Sequence, residues 1–175
     1  MMAAKRNHNW RIWCSAASTG EEPYSIAMTA SETLGAGGQF HIVNSDIDTK
    51  VLATAARGVY KADNVKGLSA ERTQRFFMRG KGANAGFIRV KPELQKHMEF
   101  MAINLIQELP LREAFDVVFC RNVMIYFDGP TQRQVLERIH RVMKPGGTLF
   151  VGHAENFSDA RSLFALRGKT VYERV

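Results

Sequence analysis

Cysteine is scarce in this chain: Cys14 and Cys120 are the only two among 175 residues. Both lie in apolar, strand-like runs without Cys-x-x-Cys spacing, which excludes a disulfide framework and a cysteine metal centre. They read as reduced thiols packing as small hydrophobes. No His/Cys/Asp spacing points to a metal. No apolar run reaches the ~20 residues that span a bilayer. The first ten residues, Met1 to Trp10, are basic and polar and lack the apolar core of a signal peptide. These absences predict a cytoplasmic protein with no direct membrane insertion. Internal repeats and low-complexity tracts are also missing. The length suits one domain with a substantial core and is too short for two.

A phosphate-binding loop is absent where the pattern would put one. Trp13-Cys14-Ser15-Ala16-Ala17-Ser18-Thr19-Gly20-Glu21-Glu22-Pro23-Tyr24-Ser25 reads as a buried strand, a turn of small residues and a helix opening on acidic side chains. α/β proteins present backbone N–H groups and carboxylates to a nucleotide-like ligand in this way. With two glutamates in place of lysine or repeated glycines, the loop repels a polyphosphate. It favours a ligand with hydroxyls and positive charge. S-adenosylmethionine has a ribose, an ammonium and a sulfonium, and no phosphate.

The formal charge is +7. A basic balance suggests a nucleic acid, an anionic membrane surface or an acidic protein partner, or simply a solvated surface. Lys66, Arg72, Arg75, Arg79, Lys81, Arg89, Lys91 and Lys96 concentrate it in one region.

Hydrophobic periodicity organises the rest. Residues 11–17 read as strand one and 21–34 as a helix stopped by Gly35-Ala36-Gly37-Gly38. A second strand runs over 40–45 into Asp46-Ile47-Asp48, and Asp48 or Thr49 caps a second helix ending at Gly58. The rhythm breaks over 59–105, and residues 68–98 are expected to form a small inserted subdomain. The pattern returns with a central strand over 114–120 and an amphipathic helix over 131–143. Lys144-Pro145-Gly146-Gly147 is read as its stop. A strand over 148–152 and a terminal antiparallel hairpin over 164–172 follow. The expected fold is α/β: a parallel sheet with helices on both faces and an antiparallel edge. The expected domain covers 11–175, with 1–10 a disordered tail.

Four segments should meet at the carboxyl ends of the strands. They are Ser18 to Glu22; Asp46, whose carboxylate suits ribose hydroxyls; Asn104-Leu105, suited to an adenine edge; and Cys120-Arg121-Asn122-Val123-Met124-Ile125-Tyr126-Phe127. Each has a plainer explanation. Asp46 could cap a helix, Glu21 and Glu22 could favour a helix N-terminus, Asn104 could serve a turn, Arg121 a structural salt bridge, and Tyr126 the core. His153, after the 148–152 strand, reads as a structural histidine or a local acid or base. The combination along a βα pattern is more specific than any member.

These residues carry a resemblance. Ile12 to Met28, Ser45-Asp46-Ile47-Asp48, Gly58-Val59-Tyr60, Arg75-Phe76-Phe77, Asn104-Leu105, Phe119 to Phe127 and Gly152-His153-Ala154-Glu155-Asn156-Phe157 resemble the catalytic domain of the chemotaxis receptor methyltransferases, the CheR family. The similarity covers roughly residues 11–172. It implies a class I, Rossmann-like methyltransferase fold with a small inserted β-subdomain and S-adenosylmethionine as methyl donor. It implies transfer to glutamate carboxylates on the cytoplasmic helices of methyl-accepting chemoreceptors by a monomer. It implies cofactor contacts from Glu21, Glu22, Asp46, Asn104, Leu105, Arg121 and Asn122, with Tyr126 near the transferred methyl. Tyr126 and Arg121 are the expected catalytic residues, and the insertion resembles a subdomain that docks receptor tails in some members. Full-length relatives carry an N-terminal helical domain and a linker whose polar residues reach the cofactor and the reacting carboxylate. This sequence starts just before strand one, so the expectation is a fragment, a truncated product, or a chain whose missing part is supplied in trans.

Methyl transfer to a carboxylate is an in-line displacement, and the acceptor, with a pKa of about 4.3, is already ionised at neutral pH. No general base is required. Positioning and water exclusion must do the work. Two rivals stand beside this reading. A nucleic-acid methyltransferase acting on exocyclic amines would show Asn/Asp-Pro-Pro-Tyr/Phe after the central strand, where Cys120-Arg121-Asn122-Val123 stands, so no nucleic-acid partner is expected. The other rival is an inactive cofactor-binding or receptor-docking module.

Overall fold

The computed structural model describes Met2, residues 8–153, Glu155 and residues 161–175. Most of the tail expected over 1–10 therefore lies outside the described residues, as do positions 154, 156 and 157 of the Gly152–Phe157 block. Trp10 is an exception to the expected tail. It opens strand β1 (Trp10–Cys14), is buried, and pairs with Phe40.

Helix α1 (Glu21–Leu34) buries Tyr24, Ala27, Met28, Ala30 and Leu34, a stripe at helical spacing. Glu21 and Glu22 in its first turn complement the positive helix end, and Gly35 at φ 70° stops it. Strand β2 (Phe40–Asp46) leads into α2 (Thr49–Arg57). Asp48 caps α2 by accepting the Lys50 N–H at 2.7 Å, and left-handed Gly58 ends it. Strands β6 (Met98–Ala102), β7 (Phe115–Cys120) and β8 (Met143–Val151) follow, with α5 (Gly129–Arg141) between β7 and β8. Asp128 caps α5 through the Thr131 N–H at 2.9 Å. The chain closes with β9 (Phe164–Gly168) and β10 (Val171–Arg174).

The main sheet has seven strands in the order β6-β2-β1-β7-β8-β10-β9. Pairing is parallel from β6 to β8, and β10 and β9 add the antiparallel edge. Alternation along the strands sorts the core into two layers. Ile12, Ile42 and Val117 pack with α1 residues Tyr24, Ala27 and Met28. Trp13, Val43 and Val118 pack with α5 residues Val135, Leu136 and Ile139. Full burial of such a side chain contributes about 2 kcal/mol. The chain leaves β1 toward β2 and β6, then returns to the other side for β7. This makes the carboxyl end of β1 a topological switch point, where open α/β sheets bind ligands.

A second, antiparallel sheet has the order β3-β5-β4, from β3 (Val59–Lys61), β4 (Phe77–Arg79) and β5 (Phe87–Val90). Helices α3 (Ala70–Phe76) and α4 (Pro92–Gln95) flank it. The sheet begins ahead of the insertion expected at Leu68, because buried Tyr60 on β3 ties it to the main domain. The Tyr60 hydroxyl donates to the Thr19 carbonyl at 2.7 Å. A Cβ on Gly20 would lie 2.6 Å from that hydroxyl, and Gly20 has φ 102°, so the loop after β1 accepts only glycine there.

Lys144-Pro145-Gly146-Gly147 is not the helix stop the sequence suggests. Helix α5 ends at Arg141, and the four residues form an irregularity inside β8. Pairing with β7 jumps from Phe115–Met143 to Val117–Thr148. Lys144 holds this segment by donating to Asp116 Oδ1 at 2.9 Å and Oδ2 at 3.0 Å.

Candidate active site

The loop from Ser15 to Gly20 is pinned from both sides. The Ser15 N–H donates to the Phe119 carbonyl at 2.9 Å and the Ala17 N–H to the Ser45 carbonyl at 2.8 Å. Beneath it, the Trp13 indole N–H donates to Ser45 Oγ at 2.9 Å, and that hydroxyl donates to the Ser15 carbonyl at 3.1 Å. The turn puts Ser18 in a left-handed conformation, φ 48°, and aims its N–H at Asp46 Oδ2, 2.9 Å away. Asp46 Oδ1 accepts the Asp48 N–H at 3.1 Å. Both carboxylate oxygens are thus oriented by backbone donors while each keeps a lone pair to offer.

The eight residues expected to contact cofactor or substrate, Glu21, Glu22, Asp46, Asn104, Leu105, Arg121, Asn122 and Tyr126, line one cleft of about 710 Å³ at the carboxyl ends of β1, β2 and β7, and His153 does not. Arg121 is ion-paired with Glu22, Nη1 to Oε1 at 2.5 Å, and the Cys14 thiol donates to the other Glu22 oxygen at 3.5 Å. Glu21 accepts the Thr19 hydroxyl at 2.6 Å. Asn104 Oδ1 accepts the Ile106 N–H at 3.0 Å, a local turn that fixes the side chain at the cleft wall. Leu105 is buried and joins the α5-side core. Tyr126 ends a single 3₁₀ turn (Met124–Tyr126) and is 77 % exposed. His153 is exposed.

Apolar walls complete the cleft, and the sequence reading did not single them out. Ile47 and Ile106 are large exposed hydrophobics beside Asp46 and Asn104, and Ile103, Val123 and Phe127 also line the space. The available signal was an isoleucine between two aspartates in an exposed β2–α2 connection. Also missed was Glu155, a buried carboxylate beneath the Asn122 backbone.

The charges at the cleft are three carboxylates, Glu21, Glu22 and Asp46, against one guanidinium, Arg121. Such a field favours a cation and disfavours a phosphate. Burial, and then the Glu22 charge, push the Cys14 thiol well up. Burial raises Cys120 to about 12. Both therefore stay protonated at neutral pH, and neither is an activated nucleophile. Among the described residues no group of His, Cys, Asp and Glu could hold a metal, and no helix is long and apolar enough to cross a membrane.

S-adenosylmethionine matches this donor set. An oriented carboxylate at Asp46 suits vicinal hydroxyls, the acidic loop suits an ammonium, and the Ile47, Leu105 and Ile106 walls suit a flat heterocycle.

The family model described as "CheR methyltransferase, SAM binding domain" matches residues 1–172. The chemotaxis protein methyltransferase of Escherichia coli is 49 % identical over 172 residues, 97 % of this chain and 60 % of that protein. Chemotaxis protein methyltransferase 2 of Pseudomonas aeruginosa is 49 % identical over 170 residues, covering 96 % and 61 %. The chain thus spans about 60 % of the length of these curated relatives. Among solved structures, the glycopeptide N-methyltransferase MtfA in complex with S-adenosylmethionine superposes with TM-score 0.53 at 12 % identity, over 85 % of this chain and 50 % of that one. The CMeT domain of the citrinin polyketide synthase gives 0.52 at 17 % identity, over 82 % and 28 %. These two likenesses concern the fold alone, a class I methyltransferase architecture.

Proposed function

The chain belongs to the CheR methyltransferase family as its S-adenosylmethionine-binding domain, and from that premise we propose that it serves methyl transfer to glutamate side-chain carboxylates of chemoreceptors. The carrying observation is the convergence of an acidic loop, an oriented aspartate and the Arg121-Asn122 pair on one lysine-free cleft among the described residues. When bound, S-adenosylmethionine supplies an electrophilic sulfonium methyl.

The protein's residues supply placement. Asp46 holds two hydroxyls, and Glu21 and Glu22 set the negative potential that retains a cation. Asn104 and Asn122 offer amide groups at the rim, and the apolar walls exclude water. An acceptor glutamate has a pKa near about 4.3 and arrives ionised. This agrees with a cleft that holds no histidine or lysine among the described residues. Tyr126, exposed at the mouth, donates a hydrogen bond that orients the incoming carboxylate, and Arg121 offsets its charge. Alignment of reacting groups accounts for about 7–11 kcal/mol of barrier lowering in well-oriented systems.

Helix α3, the small sheet and its β4–β5 connection carry exposed Arg75, Arg79, Lys81 and Arg89. We assign them to steering acidic receptor helices. Arg72, from the same basic region of the sequence, is paired with Glu32 instead. Association with receptor membranes should slow as salt rises. Indifference to ionic strength removes this role.

The chain's 60 % share of its relatives supports a second reading, a binding module that requires the remaining length for turnover. Titration with S-adenosylhomocysteine followed by radiolabelled methyl transfer to receptor membranes separates the two. Binding with transfer supports the enzyme, binding without transfer supports the module, and absence of binding overturns both.

A further inference from the structure

Glu155 is a carboxylate that methyl transfer does not use, and it is 6 % exposed. It reaches beneath the segment leaving β7 and gathers four backbone donors. Oε1 accepts the N–H groups of Val123 at 3.1 Å and Met124 at 2.9 Å. Oε2 accepts those of Asn122 at 3.3 Å and Gly152. Successive N–H groups that converge in a turn in this way form an anion-binding nest. Asn122 has φ 58°, and Val123 follows at φ −124°, ψ −33°. The fold fills the nest with its own carboxylate. Gly152 makes room for it, because a Cβ there would lie 2.7 Å from Glu155 Oε2 and 3.1 Å from the Asn122 nitrogen.

We infer that Glu155 is a positioning residue of the transfer site, fixing the Asn122–Met124 backbone so that Asn122 and Tyr126 face the cleft. The inference rests on the S-adenosylmethionine-dependent reading above. Three of the four donors lie between Asn122 and Met124, so the carboxylate holds this turn from beneath. The site needs a carboxylate because each oxygen receives two N–H groups. A carboxamide would turn its NH₂ toward two of them.

The test compares Glu155→Gln and Glu155→Ala with the parent chain. In Glu155→Gln the melting temperature stays well above the assay temperature, and amide exchange at Val123 and Met124 accelerates in the ligand-free protein. S-adenosylhomocysteine affinity falls roughly tenfold to a hundredfold, the scale of one lost charge-assisted hydrogen bond. In Glu155→Ala, formate, a small carboxylate, restores much of the affinity in a saturable way, whereas the same ionic strength of chloride does not. If Glu155→Gln exchanges and binds as the parent does, or if formate leaves a folded Glu155→Ala unchanged, the inference is wrong. Should Glu155→Ala not fold, Glu155→Gln decides. A parent chain that binds no S-adenosylhomocysteine overturns the cofactor reading, and amide exchange alone then decides the role of Glu155.

Discussion

Arg121 Nη1 meets Glu22 Oε1 at 2.5 Å, linking the segment after β7 to the first turn of α1 across the cleft wall. With its other oxygen on the Cys14 thiol, Glu22 is the compensated member of the acidic pair. Glu21 and Asp46 carry no such cationic partner within the cleft lining. The side chains are 38 % and 25 % exposed, so solvent screens the pair and its coupling is modest. A double-mutant cycle with Glu22→Gln and Arg121→Gln, read by S-adenosylhomocysteine affinity, should give a coupling of about 1 kcal/mol or less. Strict additivity would mean that the two residues act separately on the ligand.

Asp46→Asn should be more damaging. Both carboxylate oxygens accept a backbone N–H, from Ser18 and from Asp48. A carboxamide must turn its NH₂ toward one of those donors, releasing the loop after β1, and it also loses an acceptor for a ligand hydroxyl. Charge-assisted bonds of this kind contribute about 1.5–3 kcal/mol. A ten- to hundredfold loss of cofactor affinity is expected, with little change in far-UV circular dichroism. Unaltered affinity by calorimetry would remove Asp46 from the ligand site.

These two relationships show how far a sequence can be read. Acidic residues after β1 and an aspartate closing β2 follow from periodicity, because strand ends and helix starts are marked by Gly20, Asp48 and Gly58. Local signals do not reveal that Arg121 takes Glu22 as partner, since the residues are brought together only by adjacent placement of β1 and β7. The role of Glu155 was hidden for the same reason: three of its four donors, Asn122, Val123 and Met124, lie more than 30 residues earlier in the chain. The Lys144–Gly147 turn misled because Pro-Gly-Gly punctuates a chain whether it stops a helix or bulges a strand. Tyr60 drew the small sheet's start back to Val59 through one long-range hydrogen bond to Thr19.

Asp116 gives the fold a pH signature. Burial works against its charged form, but the Arg11 N–H, the Lys144 ammonium and the His8 ring outweigh it and hold the carboxyl below its ordinary range. The unfolded chain then binds the proton more readily than the folded one. The contribution is therefore complete above the unfolded value of about 3.9 and is lost as pH falls through the folded value. Asp116→Asn should cost about 2 kcal/mol at neutral pH, the size of a broken charge-assisted hydrogen bond. Its deficit against the parent should narrow on acidification toward about pH 3. Urea denaturation at both pH values checks this, and a constant deficit contradicts the assignment.

Tyr126 carries the sharpest functional prediction. Its ring stands at the cleft mouth, 77 % exposed, at the end of a short turn whose backbone is fixed by the Met124 and Val123 N–H groups on Glu155. An exposed tyrosine contributes little to stability, so Tyr126→Phe should leave the melting temperature within a degree or two of the parent. In the proposed role it meets the acceptor rather than the cofactor, so S-adenosylhomocysteine affinity should also hold. What the phenylalanine lacks is a donor for the acceptor carboxylate. Loss of one oriented donor costs on the order of a hundredfold in catalytic rate where charge is being stabilised. Here the acceptor loses charge as it reacts, so in the proposed role the hydroxyl would act through alignment and the loss should be nearer tenfold. Single-turnover methylation of receptor membranes, in the full-length protein if this chain alone does not turn over, measures it. A rate equal to the parent's would leave Tyr126 a bystander at the rim and return the orientation of the acceptor to Arg121.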